Sequence, residues 1–218
     1  MNSKQRFLAA INREKPDRLP VTTHHLMPSF LKKYMDGADE MDFFETFGMD
    51  PVRWIVAHRP DPGKGEYYDP DQGEPGFLEA RRICTDNWRI RVEELDGYGA
   101  RTKRFKIITP DKTLSMILQS DVHSTWVKEY LIKDKNDIDV IANYLPAPKC
   151  DVSTINQVAA EAGDKALIRG HVCCFDGFGQ PGCWQDFACL YGIEKLIIAT
   201  FEDPDWVHAF LKVLQQRK

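Results

Sequence analysis

The run ALIRGHVCCFDGFGQPG, Ala166–Gly182, constrains the fold more than any other stretch of the chain. It opens as a short apolar segment, Ala166-Leu167-Ile168, interrupted by Arg169. It then passes through Gly170, His171, Val172, Cys173 and Cys174 into a turn rich in glycine, aspartate and proline. A β-prone run followed by a Gly/Pro turn and a helical pattern reads as one strand–loop–helix unit. In parallel α/β folds the loop beyond a strand's C-terminal end carries the chemistry. His171, Cys173 and Cys174 therefore stand where a ligand or nucleophile would be useful.

The flanking sequence supplies partners for such a unit. Residues 3–13 predict a helix capped by Ser3, with Phe7, Leu8 and Ile11 as its apolar stripe and Pro16 beyond its end. Leu19–Thr23 predicts a first strand ending at His24-His25. Pro28 suits the first turn of a helix carrying Phe30, Leu31 and Tyr34, and Asp39 can cap another that carries Phe43, Phe44 and Phe47. Val52–Ala57 predicts a second core strand, ending at His58.

Residues 59–76 are turn-rich. The runs Phe77–Cys84, Trp88–Glu93, Arg101–Ile108 and Thr113–Leu118 are spaced too tightly for βα units, so they predict an antiparallel meander. Helical periodicity then returns. Asp134 and Ser153 are candidate caps for two helices, and the Ala166 strand follows. Helices near Trp184–Tyr191 and Ile193–Thr200 come next, and Asp203-Pro204 starts a last one.

With 218 residues, 43% of them hydrophobic, the chain can bury a sizeable core. The net charge of −4 implies no basic face, which argues against nucleic acid and anionic membranes as partners. No apolar run is long enough for a signal peptide or a membrane span. The six cysteines form no C-x-x-C pair and no disulfide framework, which fits a reducing cytoplasm.

Four places, spread over most of the chain, resemble the uroporphyrinogen decarboxylase superfamily. They are Arg6–Ile11 with Lys15–Val21; Thr85-Asp86-Asn87-Trp88 with Thr109–Leu114; Glu129–Lys133; and Phe201–Val207. The second of these is similar to the meander of the family's methyltransferase-like branch. The resemblance implies an α/β fold, the N-terminal part of a TIM (β/α)8 barrel with an antiparallel meander inserted over residues 59–130. It implies one incomplete domain over residues 1–218, because a closed barrel typically takes about 250 residues.

For the intact enzyme, the resemblance implies methyl transfer between a corrinoid carrier and a thiol or folate-like acceptor, with zinc activating the thiol. The alternative within the family is cofactor-free decarboxylation of uroporphyrinogen. A third reading is a non-catalytic half-barrel that pairs its open strand edges with a second copy or another chain. Expected partners are thus a small-molecule substrate, a corrinoid protein and a second copy of the chain. The decarboxylases carry an arginine-rich segment after their first strand. Here that place reads Thr23-His24-His25-Leu26-Met27-Pro28, without arginine. The family's zinc motif, a His-x-Cys with a late Cys, belongs to the second half of the barrel, and its role is not carried over to His171-Val172-Cys173.

Among candidate site residues, His24 and His25 replace that arginine segment, and a neutral imidazole can act as base or ligand near pH 7. They can equally be solvated loop histidines. Asp86 is a general-base candidate, but Asp-Asn between strands also reads as a hairpin turn. His171 and Cys173 alternate along a strand and could offer two metal donors, with His24, His25 or His58 as a third. The competing reading makes Cys173 a small buried hydrophobe and His171 a carbonyl-bonded core histidine. The spacing of Gly177, Gly179 and Gly182 matches a dinucleotide motif numerically, but Pro181 and the lack of a suitably placed acidic residue argue against it.

Overall fold

A computed structural model describes residues 1–73, 75 and 80–218. In chain order the elements are α1 (Ser3–Ile11), α2 (Pro28–Tyr34), α3 (Glu40–Thr46), β1 (Val52–Val56), β2 (His58–Arg59), β3 (Tyr67–Tyr68), β4 (Ile83–Cys84), β5 (Arg89–Leu95), β6 (Arg101–Ile108), β7 (Thr113–Ser120) and β8 (Thr125–Glu129). They continue with α4 (Asp137–Tyr144), β9 (Lys149–Cys150), α5 (Val152–Ala162), β10 (Leu167–His171), α6 (Cys183–Tyr191), α7 (Ile193–Glu202) and α8 (Pro204–Arg217). The fold is mixed α/β, and no closed barrel forms among the described residues. Two compact units divide it: Met1–Ala57 with Asp151–His171, and His58–Cys150 with Val172–Lys218.

The first unit is built on β1 and β10, which pair in parallel with Val52 opposite Leu167 and Val56 opposite His171. Phe7, Ala9, Phe43, Phe44, Val52, Ile55 and Ala166 are its buried apolar side chains. Asn2, rather than Ser3, caps α1. It forms a reciprocal capping box with Gln5, while the Ser3 hydroxyl turns to donate to Asp50 at 3.0 Å. Asp39 caps α3 as expected, but Phe47 lies past the helix end and is exposed.

Leu19–Thr23 does not form a strand. Pro20 has no N–H to give a ladder. The Val21 N–H donates to the Asp50 carboxylate at 2.9 Å, and the Val21 carbonyl accepts from the Asp50 N–H at 2.6 Å. The segment is thus an anchor around a buried acid. Asp50, fully shielded from solvent, also receives Arg6 and Arg18, the latter at 2.6 Å, and Asp17 holds Arg6 at 2.7 Å. Burial alone would raise the Asp50 pKa. The hydrogen bonds from Val21, Arg18, Ser3 and Arg6 outweigh it and hold the carboxyl below its ordinary value.

In the second unit β5, β6, β7 and β8 form the expected antiparallel meander, in that order. Thr125–Glu129 adds a strand that the sequence reading assigned to no element; a register shift between Ile117 and Leu118 accommodates it. Of the run Phe77–Cys84, Ile83–Cys84 is a strand and residues 77–79 lie outside the described residues. His58 does not end β1 but opens β2, which pairs with β9, His58 opposite Cys150.

One face of the meander packs Ile90, Ile107, Leu114 and Met116 into a core shared with Trp88, Phe187, Leu190, Phe210 and Leu214. Asp134 accepts from the Asn136 N–H at 2.8 Å, and Asn136 takes the N-cap position, so α4 starts two residues later than expected. Buried Asp137 holds that entry by accepting from the Lys133 and Asp134 N–H groups and from Lys112. Likewise Asp151, not Ser153, caps α5.

Candidate functional site

The parallel ladder of β1 and β10 places Trp54 directly opposite Arg169, and Val56 opposite His171. Residues two apart on a strand face the same side, so Trp54, Arg169 and His171 converge near the C-terminal ends of the two strands. The Arg169 guanidinium stacks on the Trp54 ring with its carbon 3.9 Å from the centroid. His171 lies 6.1 Å from that ring. The loop ahead of α2 brings His24 edge-on and His25 tilted, each 5.1 Å from Trp54 and 4.0 Å from one another. One indole thus collects three imidazoles and a guanidinium, all within the first unit.

The electrostatics follow from that crowding. Partial burial lowers the His25 pKa first, and the neighbouring His24, His171 and Arg169 lower it further, because each disfavours a second positive charge. The His25 imidazole is therefore neutral at pH 7 and can accept a proton. Arg169 forms no salt bridge among the described residues, and its guanidinium rests on the Trp54 ring. An NMR titration should place His25 below the ordinary histidine value of about 6.5, and Arg169→Gln should move it up.

The expected site residues separate. His24, His25 and His171 come together. Asp86 stands exposed at the tip of a two-residue turn closed by reciprocal bonds, each 3.1 Å, between Thr85 and Trp88. Cys173 falls in the other unit, 6% exposed, and burial pushes its thiol up to about 12. Among the described residues no three His, Cys, Asp or Glu side chains gather to hold a metal. The Cys174 thiol is also raised by burial.

Trp54 and Arg169 were not singled out from the sequence. Their signal was an arginine inside an apolar strand, two residues ahead of His171, but their juxtaposition depends on the ladder register. An open recess lined by Arg6, Met41, Glu45, Met49, Pro51 and Lys165 lies at the opposite, N-terminal ends of these strands. There Arg6 is committed to Asp50 and Asp17.

The Gly-rich loop after β10 has a structural occupation in the second unit. Asp186 Oδ1 accepts from the Phe175 N–H at 3.3 Å and the Gln180 N–H at 3.1 Å, and Lys218 reaches Oδ2 at 3.0 Å. Arg217 bonds the carbonyls of Pro146 and Cys174 and the carboxylate of Asp176. The loop wraps two carboxylates of the chain itself instead of a phosphate. No protein-family model, curated protein or solved structure matches this chain.

Proposed function

We propose that this chain is the first part of a (β/α)8-type barrel of the uroporphyrinogen decarboxylase superfamily. The intact enzyme moves a methyl group from a corrinoid carrier to a small thiol acceptor. The observation that carries this reading is the gathering of His24, His25, Trp54, Arg169 and His171 at the C-terminal ends of paired parallel strands. That is the end at which barrel enzymes place their sites.

The carrier would supply the methyl group, and this chain's residues would prepare the acceptor. Neutral His25 takes the thiol proton onto a ring nitrogen. Arg169, fixed over Trp54, stabilises the thiolate so formed. The indole offers a flat apolar wall. Within this chain, the groups placed to activate the thiol are this base and cation. The decarboxylase reading is less well supported, because a substrate with many carboxylates calls for several arginines and this cluster contains one.

The test is to incubate the protein with methylcobalamin and a small alkyl thiol, and to quantify the methyl thioether by mass spectrometry. Thioether should form, and His25→Gln should slow it by about a hundredfold, the lower end of general-base effects, with Arg169→Gln slowing it as well. Thiol binding, read as a change in Trp54 fluorescence against Trp54→Phe, reports on the pocket even where turnover needs further residues. Decarboxylation of uroporphyrinogen without thioether formation would overturn the proposal. So would thiol binding unaffected by either variant.

A further inference from the structure

The Trp54 cluster gathers positive charge without an acid to match it. Arg169 rests on the indole, and a guanidinium that meets a ring with its face keeps its N–H donors at its edge. The Arg169 side chain makes no hydrogen bond and no salt bridge among the described residues. It is exposed, as are His24 and His25. The charged groups acting on His25 are His24, His171 and Arg169, each a cation or able to become one. For a fold that used these side chains only for packing, the arrangement is unfavourable, because every proton taken up adds repulsion.

The orientation of the donors sets the shape of what fits. His24 and His25 are inclined by 55° to one another, and by 82° and 39° to the indole. Imidazole N–H groups lie in their ring planes, so these donors and the guanidinium edge do not share one plane. A carboxylate accepts hydrogen bonds near its own plane. A phosphate group offers oxygens in several directions and up to two negative charges. The indole is already met by Arg169, His24 and His25, so what the cluster leaves to be bound is charge and not a further aromatic ring.

We infer that the cluster binds a phosphate group, held at the edge of the Arg169 guanidinium with His24, His25 and His171 as further donors. Inorganic phosphate and a small phosphate monoester share this chemistry. For its consequence the inference rests on the methyl-transfer reading: a phosphate group at Arg169 takes the place of the thiolate, so it competes with the acceptor.

The experiment is an NMR titration of the histidine ring protons with inorganic phosphate, at an ionic strength held constant with sodium chloride. The signals of His24, His25 and His171 should shift and saturate at millimolar phosphate or below. A bound anion favours imidazolium, so the His25 pKa should move from below to above the ordinary value of about 6.5. Arg169→Gln should weaken binding by about tenfold or more, the loss expected for charge-assisted hydrogen bonds. Arg169→Lys keeps the charge but not the fork and should weaken it less. Arg53→Gln removes the same charge from the other side of β1, where Arg53 lies 3.9 Å from Glu161, and should change affinity less than twofold. Glycerol phosphate separates the sources: tighter binding than inorganic phosphate assigns the site to a monoester, and weaker binding assigns it to the free anion. Equal weakening by Arg169→Gln and Arg53→Gln would reduce the effect to net charge and overturn the inference. So would acetate binding as tightly as phosphate, or the absence of any saturable shift. The titration contains neither methylcobalamin nor thiol, so a failure of methyl transfer leaves it standing, and a failure to bind phosphate leaves thioether formation untouched.

Discussion

Asp50→Ala should destabilise the protein by about 3–5 kcal/mol, the range found when one partner of a buried ion pair is removed. It is the largest single-residue effect expected in the first unit. The carboxylate is fully buried and accepts from Ser3, Arg6, Arg18 and the Val21 N–H. Its loss takes one of two carboxylates from the buried Arg6 guanidinium, whose pKa Asp17 and Asp50 together raise, and frees the Val21 segment that Asp50 anchors. Urea denaturation followed by fluorescence reads the change, and a loss under 1 kcal/mol would contradict this account.

The pH dependence has a definite sign. The folded-state pKa of Asp50 is depressed, so its contribution is complete above the unfolded value of about 3.9. It is lost as pH falls through the lower folded value. Acid unfolding of the wild type should begin below about pH 4 for this reason, and Asp50→Asn should flatten that limb.

Gly179→Ala comes second, at about 3 kcal/mol, the upper end of overpacking costs. A Cβ at this position would collide with the Asp186 carboxylate. It would also stand 2.5 Å from the Phe175 backbone nitrogen and 2.9 Å from the Phe175 Cβ. A flexible side chain could swing aside, but the backbone nitrogen cannot, because it donates to the same carboxylate. The loop would have to release Asp186, leaving a buried acid with fewer donors. Gly73→Ala, where nothing lies within 4 Å, is the matched control and should change stability little. Equal effects of the two substitutions would show that close approach is not what requires glycine at position 179.

The two periodicities of the sequence carried different amounts of information. Alternation over Arg101–Ile108 and Thr113–Leu118 located β6 and β7, because hairpin strands pair with sequence neighbours and each needs little from elsewhere. Leu19–Thr23 has the same local composition but no strand partner, so its backbone bonds go to Asp50. Asn2 displaced Ser3 as a cap only because Asp50, distant in sequence, drew the hydroxyl away.

The site shows the same division. His24, His25 and His171 could be named one at a time from loop and strand-end positions. The indole that assembles them could not, since Trp54 and Arg169 become neighbours only through a parallel register between segments far apart in the chain. The cations that the register puts on one side of β5 and β6, Arg89, Arg91, Arg104 and Lys106, were hidden in another way. A total charge averages over surfaces, and only the pleat sorts Arg89 and Arg91 from the apolar residues between them.

The short β2–β9 pair has a kinetic meaning as well as a static one. It holds His58 beside Cys150, so the two ends of the segment that interrupts the first unit are already together once that segment has folded. Without this clasp, joining β1 to β10 would require closing the whole intervening stretch as a flexible loop, an entropic penalty that grows with the logarithm of its length. With it, the connection behaves as a tight one. The hairpins of the meander thus need the least chain closure and the parallel β1–β10 pair the most, and the clasp lowers that larger cost.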